Sequence, residues 1–367
     1  MNQNGRCATL GEGNTPLIRS AAVGAQLSLR NLHFKLETSN PTGSFKDRFA
    51  AAEVTRMLRC NRKVCLATSS GNTGSSLAAY CARYGIGFYL FVNEQTPQEK
   101  LLQARAHGAR IHRVLGFGID GLETQRTFDL LQEIAAAGGF DLLVSAYRYC
   151  PEGMDHLRLI SREVVEQLRD TPDHVFVPVG GGGLLTAVWR GFLALHETGV
   201  VARLPRIHAV QPAGNPTVFD AWKARRTEVR PLLSTTQISG LSVPFDIDGS
   251  DALRAVYDSN GCALAPTDEE IWDAQRLLSQ REGIYAEPAG ATSLAGAIQG
   301  AHAGWLRPDE TVVCLVTGHG FKDSDAVERM TDDGDVPLVA PEELASVELK
   351  EPAPLASYSG SPRRPEL

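Results

Sequence analysis

Lysine is scarce in this chain. Among 367 residues, 36 are lysine or arginine. The lysines are Lys35, Lys46, Lys63, Lys100, Lys223, Lys322 and Lys350. A reaction that needs a side-chain amine therefore has a short candidate list. Basic charge is also in deficit. The balance of 36 basic against 43 acidic residues gives −7, which argues against a nucleic-acid partner, because such proteins carry a basic face. No apolar run approaches the ~20 residues of a membrane-spanning helix, so no membrane partner is expected. Residues 1–10 are polar and lack the apolar core of a secretory signal. The cysteines, Cys7, Cys60, Cys65, Cys81, Cys150, Cys262 and Cys314, include no C-x-x-C pair. Neither a metal site nor a disulfide framework is expected from them, and a reduced, cytoplasmic protein is the simpler account. H-E-x-x-H, G-x-S-x-G and EF-hand signatures are missing too.

What is present can build a core. Hydrophobic residues make up 43% and charged residues 22%, a globular balance, and the length suits two packed domains. Apolar runs beginning at Val64, Phe88, Ile111, Leu142, Val175, Ile207 and Val312 read as strands. Helix-length segments alternate with them, at 75–84, 98–107, 122–137 and 154–168. Leu32, Phe34 and Leu36 alternate with His33, Lys35 and Glu37, which predicts a half-buried strand with Lys35 on its polar face. The fold class is α/β. Residues 331–367 are rich in Pro, Glu, Asp and Ser without periodicity and read as an irregular tail.

Four segments could carry chemistry. Asn40-Pro41-Thr42-Gly43-Ser44-Phe45-Lys46-Asp47-Arg48 leaves the first strand and predicts a helix start with Ser44 as its cap. Lys46 then sits at the positive end of a helix dipole, which eases loss of its proton, and a neutral lysine can form a Schiff base. An ordinary surface lysine at a helix start fits the same residues. Ser69-Ser70-Gly71-Asn72-Thr73-Gly74 offers N–H groups and hydroxyls to an anion at the next helix start, and fits a plain capped turn equally. Gly180-Gly181-Gly182-Gly183 lets the backbone close around a phosphate. It matches neither G-x-G-x-x-G, where Leu185 takes the last glycine position, nor a P-loop. A turn for close helix packing remains its alternative. Thr317-Gly318-His319-Gly320-Phe321-Lys322-Asp323 follows a strand, at the end where open α/β folds place ligands. His319 there reads as an acid–base group or as a loop residue bonded to backbone.

Together these segments, with Gly11-Glu12-Gly13-Asn14-Thr15-Pro16-Leu17, resemble the pyridoxal-phosphate enzymes of fold type II, the tryptophan-synthase-β-like family, and within it the threonine synthases. The likeness runs over residues 8–330. It implies a cofactor, pyridoxal 5′-phosphate, held by Lys46 as a Schiff base. It implies Asn72 at the phenolic oxygen, Gly180, Gly181, Gly182, Gly183 and Leu184 around the cofactor phosphate, and Thr317 at the ring nitrogen. Ser69, Ser70, Gly71 and Thr73 would bind the substrate carboxylate, Arg148 the substrate phosphate, and Lys46 would act as the catalytic base. The implied reaction is O-phosphohomoserine plus water to threonine plus phosphate, by a homodimer acting on a small amino acid.

The same likeness implies two α/β domains, each an open twisted sheet flanked by helices, with the cofactor between them. The large domain would be 1–46 plus 150–330, the inserted small domain 47–149, and the tail 331–367. Some residues depart from the threonine synthases. Their phosphate loop reads Gly-Asn-x-Gly-Asn, whereas here it is all glycine. Their Tyr-Arg-Ile-Glu-Gly stretch is Tyr147-Arg148-Tyr149-Cys150-Pro151-Glu152-Gly153 here. The glycine loop, Gly240-Leu241-Ser242-Val243-Pro244 and Glu287-Pro288-Ala289-Gly290-Ala291 look like serine/threonine dehydratases and serine racemase. Elimination or replacement at Cβ of serine, threonine or a related amino acid is therefore the alternative. A non-catalytic ligand-binding protein on the same scaffold is a third reading.

Overall fold

The computed structural model describes residues 7–69, 71–331, 336–347 and 349. Its strands are β1 Leu17–Arg19, β2 Asn31–Leu36, β3 Val64–Ala67, β4 Gly87–Asn93, β5 Arg110–Val114, β6 Asp141–Leu143, β7 His174–Pro178, β8 Arg206–Val210, β9 Ala263–Leu264 and β10 Thr311–Val316. They form two sheets, ordered β1-β2-β10-β7-β8-β9 and β5-β4-β3-β6. β1 runs antiparallel to β2, and the other pairings are parallel. Strands covered on both faces need apolar residues throughout, which is why β7 is buried along its whole length and β10 from its second residue. β4 alternates instead, with Phe88, Leu90 and Val92 turned into the core.

The apolar runs in the sequence find their strands, with starts within one residue. The helices depart more. The helix expected from residue 75 is Asn72–Tyr84, so Asn72 and Thr73 belong to its first turn. Gly85 ends it at φ 66, a left-handed conformation that glycine takes without strain. The segment 154–168 breaks into Pro151–Asp155, a 3₁₀ turn at His156–Arg158, and Leu159–Leu168. In the tail, Pro341–Ser346 forms an exposed 3₁₀ turn. Residues 332–335, 348 and 350–367 lie outside the described residues.

Two local expectations fail. Ser44 does not cap the helix Lys46–Arg59; Phe45 precedes it, with no side-chain cap. The backbone of Ser44 is engaged elsewhere, in an antiparallel bridge to Gly318 beyond the end of β10. Lys35 does not face solvent: it is 0% exposed. The helix Leu159–Leu168 covers that face of β2, and Lys35 Nζ donates to Thr15 O and Glu163 Oε2 at 2.7 Å and to Gln167 Oε1 at 3.1 Å.

Candidate active site

The carboxyl ends of β2, β3, β6, β7 and β10 converge. Each is followed by one of the chemically suggestive segments or by a residue that meets them. Lys46 opens its helix a few residues after β2. It is half-buried, and its Nζ donates to Ser145 Oγ at 2.7 Å. Ser145 follows β6, and its Oγ lies 3.0 Å from Thr73 Oγ1. A chain of hydroxyls thus joins the amine to the first turn of the Asn72–Tyr84 helix. Burial lowers the Lys46 pKa to about 8, although Asp248 and Glu287 pull the other way. A lysine in that range supplies neutral amine at physiological pH, the form that attacks a carbonyl or takes a proton.

Asn72 Nδ2 donates to Glu287 Oε1 at 2.7 Å. Glu287 precedes the helix Pro288–His302, and its N–H donates to Gly318 O at 3.0 Å. The pair presses on Gly318, where a Cβ would stand 2.0 Å from Glu287 Oε1 and 3.1 Å from Asn72 Nδ2. A side chain at residue 318 would therefore push the Glu287 carboxylate off Asn72. Thr317 is buried at the exit of β10, and its carbonyl accepts from Phe45 N at 3.1 Å, which ties this tip to the residue before Lys46.

Gly180–Gly183 links β7 to the helix Gly183–Glu197. Gly182 has φ 100, and a Cβ there would meet Asp248 O at 2.4 Å. The opening N–H groups of that helix have no intrahelical acceptor; with the dipole they form an anion site, and Leu184 is buried behind it. Asp248 braces the loop. Its N–H donates to Gly181 O at 2.9 Å, and its carboxylate accepts from the N–H groups of Tyr147 at 2.9 Å and Arg148 at 3.4 Å.

Other expected residues lie at different distances from this centre. Ser69 is half-buried, with its carbonyl against Gly74. Gly71 precedes the Asn72–Tyr84 helix and is exposed. Ser70 lies outside the described residues. Arg148 is exposed, and its guanidinium sits 5.9 Å from the Tyr149 ring centroid. His319 Nδ1 accepts from Phe321 N at 3.3 Å, the loop role among its two readings. Sequence reasoning gave no site role to Ser145, Asp248 or Glu287. Ser145 had a readable signal, a hydroxyl at the tip of a strand. Glu287 stood out for family likeness alone. Asp248 lies at the end of an irregular stretch and had no signal.

Two α/β sheets whose strand tips bring an amine, a glycine cradle and polar groups near one another have the arrangement of a cofactor-dependent enzyme. Residues 8–318 match the family model of the pyridoxal-phosphate dependent enzymes, and the chain belongs to that family. It is 37% identical over 331 residues to a threonine synthase of Methanocaldococcus jannaschii, covering 89% of this chain and 80% of that one. It is 34% identical to a threonine synthase of Mycobacterium leprae, covering 94% and 90%. Among solved structures, the processed threonine deaminase isoform 2 of Solanum lycopersicum superposes with a TM-score of 0.72 at 21% identity, over 87% of this chain and 82% of that one. An O-ureido-L-serine synthase does so at 0.72 and 22%, over 89% and 95%. At those identities the structures attest the fold. The chain is a threonine synthase-like enzyme, and its cofactor is pyridoxal 5′-phosphate.

The residues present fit that cofactor. The amine of Lys46 is lowered toward neutrality, the Gly182 cradle is one a Cβ would fill, and Ser44 Oγ, two residues before Lys46, is buried without a hydrogen-bond partner. Among the described residues no group of side chains could hold a metal ion, and no helix is long and apolar enough to cross a membrane.

Proposed function

We propose that this chain is a threonine synthase, converting O-phosphohomoserine and water to threonine and phosphate. The observation that carries the reading is the Lys46 amine, lowered by burial to about 8 and bonded to Ser145, in a chain a third identical to threonine synthases over most of its length. When bound, pyridoxal phosphate supplies an electron sink for negative charge at the substrate Cα. Lys46 would hold it through its amine. Gly180–Gly183 and Leu184 would surround its phosphate, Asn72 would meet its phenolic oxygen, and Thr317 would meet its ring nitrogen. A threonine there is neutral and does not force ring protonation as a carboxylate would. Ser69, Ser70, Gly71 and Thr73 take the substrate carboxylate at the helix start. As a free amine, Lys46 Nζ would remove the Cα proton, and Ser145 and Thr73 fix the amine by their hydroxyls. A Cβ proton is also given up, phosphate leaves Cγ with its bonding electron pair, water adds its hydroxyl at Cβ, and protons return to Cγ and Cα, so that the sum is substrate plus water to threonine plus phosphate.

Arg148 is assigned to the substrate phosphate, which requires its guanidinium to leave the Tyr149 ring. That contact on an exposed residue, with a loop of four glycines offering no side chain, favours a second reading: elimination or replacement at Cβ of serine, threonine or a related amino acid. A substrate panel separates the two. Phosphate and threonine from O-phosphohomoserine support the first; a keto acid and ammonia from serine or threonine support the second. Turnover of neither removes both. The domain division extends the reading, with 47–149 closing on 1–46 plus 150–330 to exclude all but the reacting water. A cytoplasmic homodimer completes it, checked by light scattering and cell fractionation.

A further inference from the structure

We propose that Glu287 is a positioning residue for the reaction, fixing through its hydrogen bond which edge of the Asn72 amide faces the cofactor ring. The assignment rests on the cofactor reading of this site. The geometry is specific. The Asn72 amide has two unlike edges, a donating NH₂ and an accepting oxygen, and Glu287 Oε1 receives the NH₂ edge at 2.7 Å. The Glu287 backbone is anchored. Its N–H is bonded to Gly318 O at 3.0 Å, and its carbonyl accepts from Gly290 and Ala291. Ala286, the preceding residue, is bridged to His319 and accepts from Gln275 Nε2 at 2.9 Å. The two partners are 215 positions apart, on the Asn72–Tyr84 helix that follows a strand of one sheet and at the start of a helix packed on the other.

An ionised Glu287 can only accept, so it holds the NH₂ edge of Asn72. A protonated Glu287 turned to donate needs the amide oxygen, which reverses the amide and exchanges donor for acceptor on its far side. Burial lifts the Glu287 carboxyl to about 7, so both states are visited near neutrality. The groups that face it are Asn72, Lys322 and Lys100, which favour the carboxylate, and Asp323, which opposes it. Lys46, at the start of its own helix, shares the field.

The test uses the purified full chain, wild type and the variants Glu287→Gln and Glu287→Ala, titrated with pyridoxal phosphate. Cofactor affinity and the visible absorption of the bound cofactor are followed from pH 6 to 9. Wild type should show an absorption change centred near pH 7. Glu287→Gln keeps a partner for Asn72 and loses the titration, so it should bind within about threefold of wild type without the change near 7. Glu287→Ala should bind about tenfold more weakly, with altered absorption, because the Asn72 amide is left unpaired. Wild-type affinity and absorption in Glu287→Ala would overturn the assignment, as would a change near pH 7 that persists in Glu287→Gln. If Glu287→Ala fails to fold, the Glu287→Gln titration decides. Substrate turnover is not the readout, so failure of the threonine synthase reading would leave these results distinguishable.

Discussion

Lys35 and Lys46 are eleven positions apart, both drawn into the protein, and opposite in use. Burial pushes the pKa of each below that of a free lysine. Lys35 is answered at once by the Glu163 carboxylate, the Thr15 carbonyl and Gln167. Glu163 also receives Arg48, which bonds Glu37 as well. Burial alone would lower the Arg48 pKa, but Glu37 and Glu163 outweigh it and raise it. Burial likewise opposes ionisation of Glu163, yet Arg48 and Lys35 hold it at about 2. Charges in this cluster are locked. Among the described residues Lys46 has one hydroxyl, Ser145 Oγ, at bonding distance, with Asp248 and Glu287 as field rather than contact. A buried amine becomes a fixed cation or a reactive base according to what meets it, not according to burial alone.

The contrast can be broken from either side. Replacing the reactive lysine carries the largest effect. Lys46→Ala should lower turnover by at least about a thousandfold while leaving the circular dichroism spectrum intact; steady-state rates near wild type would remove the mechanism. Breaking the locked cluster should act on the fold instead. Arg48→Met leaves buried Glu37 without a cation, while Glu163 keeps Lys35, and should cost about 3 kcal/mol in urea unfolding. An unchanged midpoint would show that the network is not structural.

Gly318→Ala tests the close approach beside the site. Its Cβ would enter the space of Glu287 Oε1, so pyridoxal-phosphate affinity should fall about tenfold, the loss of one buried hydrogen bond, with a small change in thermal midpoint. Equal affinity would mean that the Glu287–Asn72 pair can shift freely.

The pH responses are the smallest and most discriminating effects. The Glu163 pKa is depressed on folding, so its contribution is complete above the ordinary carboxylate range and is lost as pH falls from about 4.5 toward 2. Glu163→Gln should flatten that part of the acid limb. For Lys46 the slope has the same sign in a higher window, and what it relieves is the penalty of burying a charged amine. Between pH 8 and 10.5 the unfolded chain holds a proton that the folded amine has released, so its contribution to stability rises with pH across that window. The stability difference between wild type and Lys46→Ala, measured by urea midpoints across pH, should show that slope. A flat difference would place the Lys46 pKa at its ordinary value.

Much of this was legible in the chain itself. The strand runs at Val64, Val175 and Val312 carry their burial in composition, because a parallel strand covered on both faces tolerates few polar residues. Lys46, Asn72, the four glycines and Thr317 were legible because each stands where a strand gives way to a helix or loop, and local grammar marks those points. Ser44 misled for a related reason. Its local pattern suits a cap, but its backbone is taken by Gly318, far along the chain.

The sequence by itself therefore determined the α/β alternation, the candidate amine and the anion loops, since each depends on neighbours within a few residues. Tertiary structure decided which lysine is locked and which is free, and it brought Ser145, Asp248 and Glu287 to the site. Those outcomes depend on partners such as Glu163, 128 positions from Lys35, and Glu287, 215 positions from Asn72. Proximity between such residues is created when the sheets pack, and no local spacing encodes it.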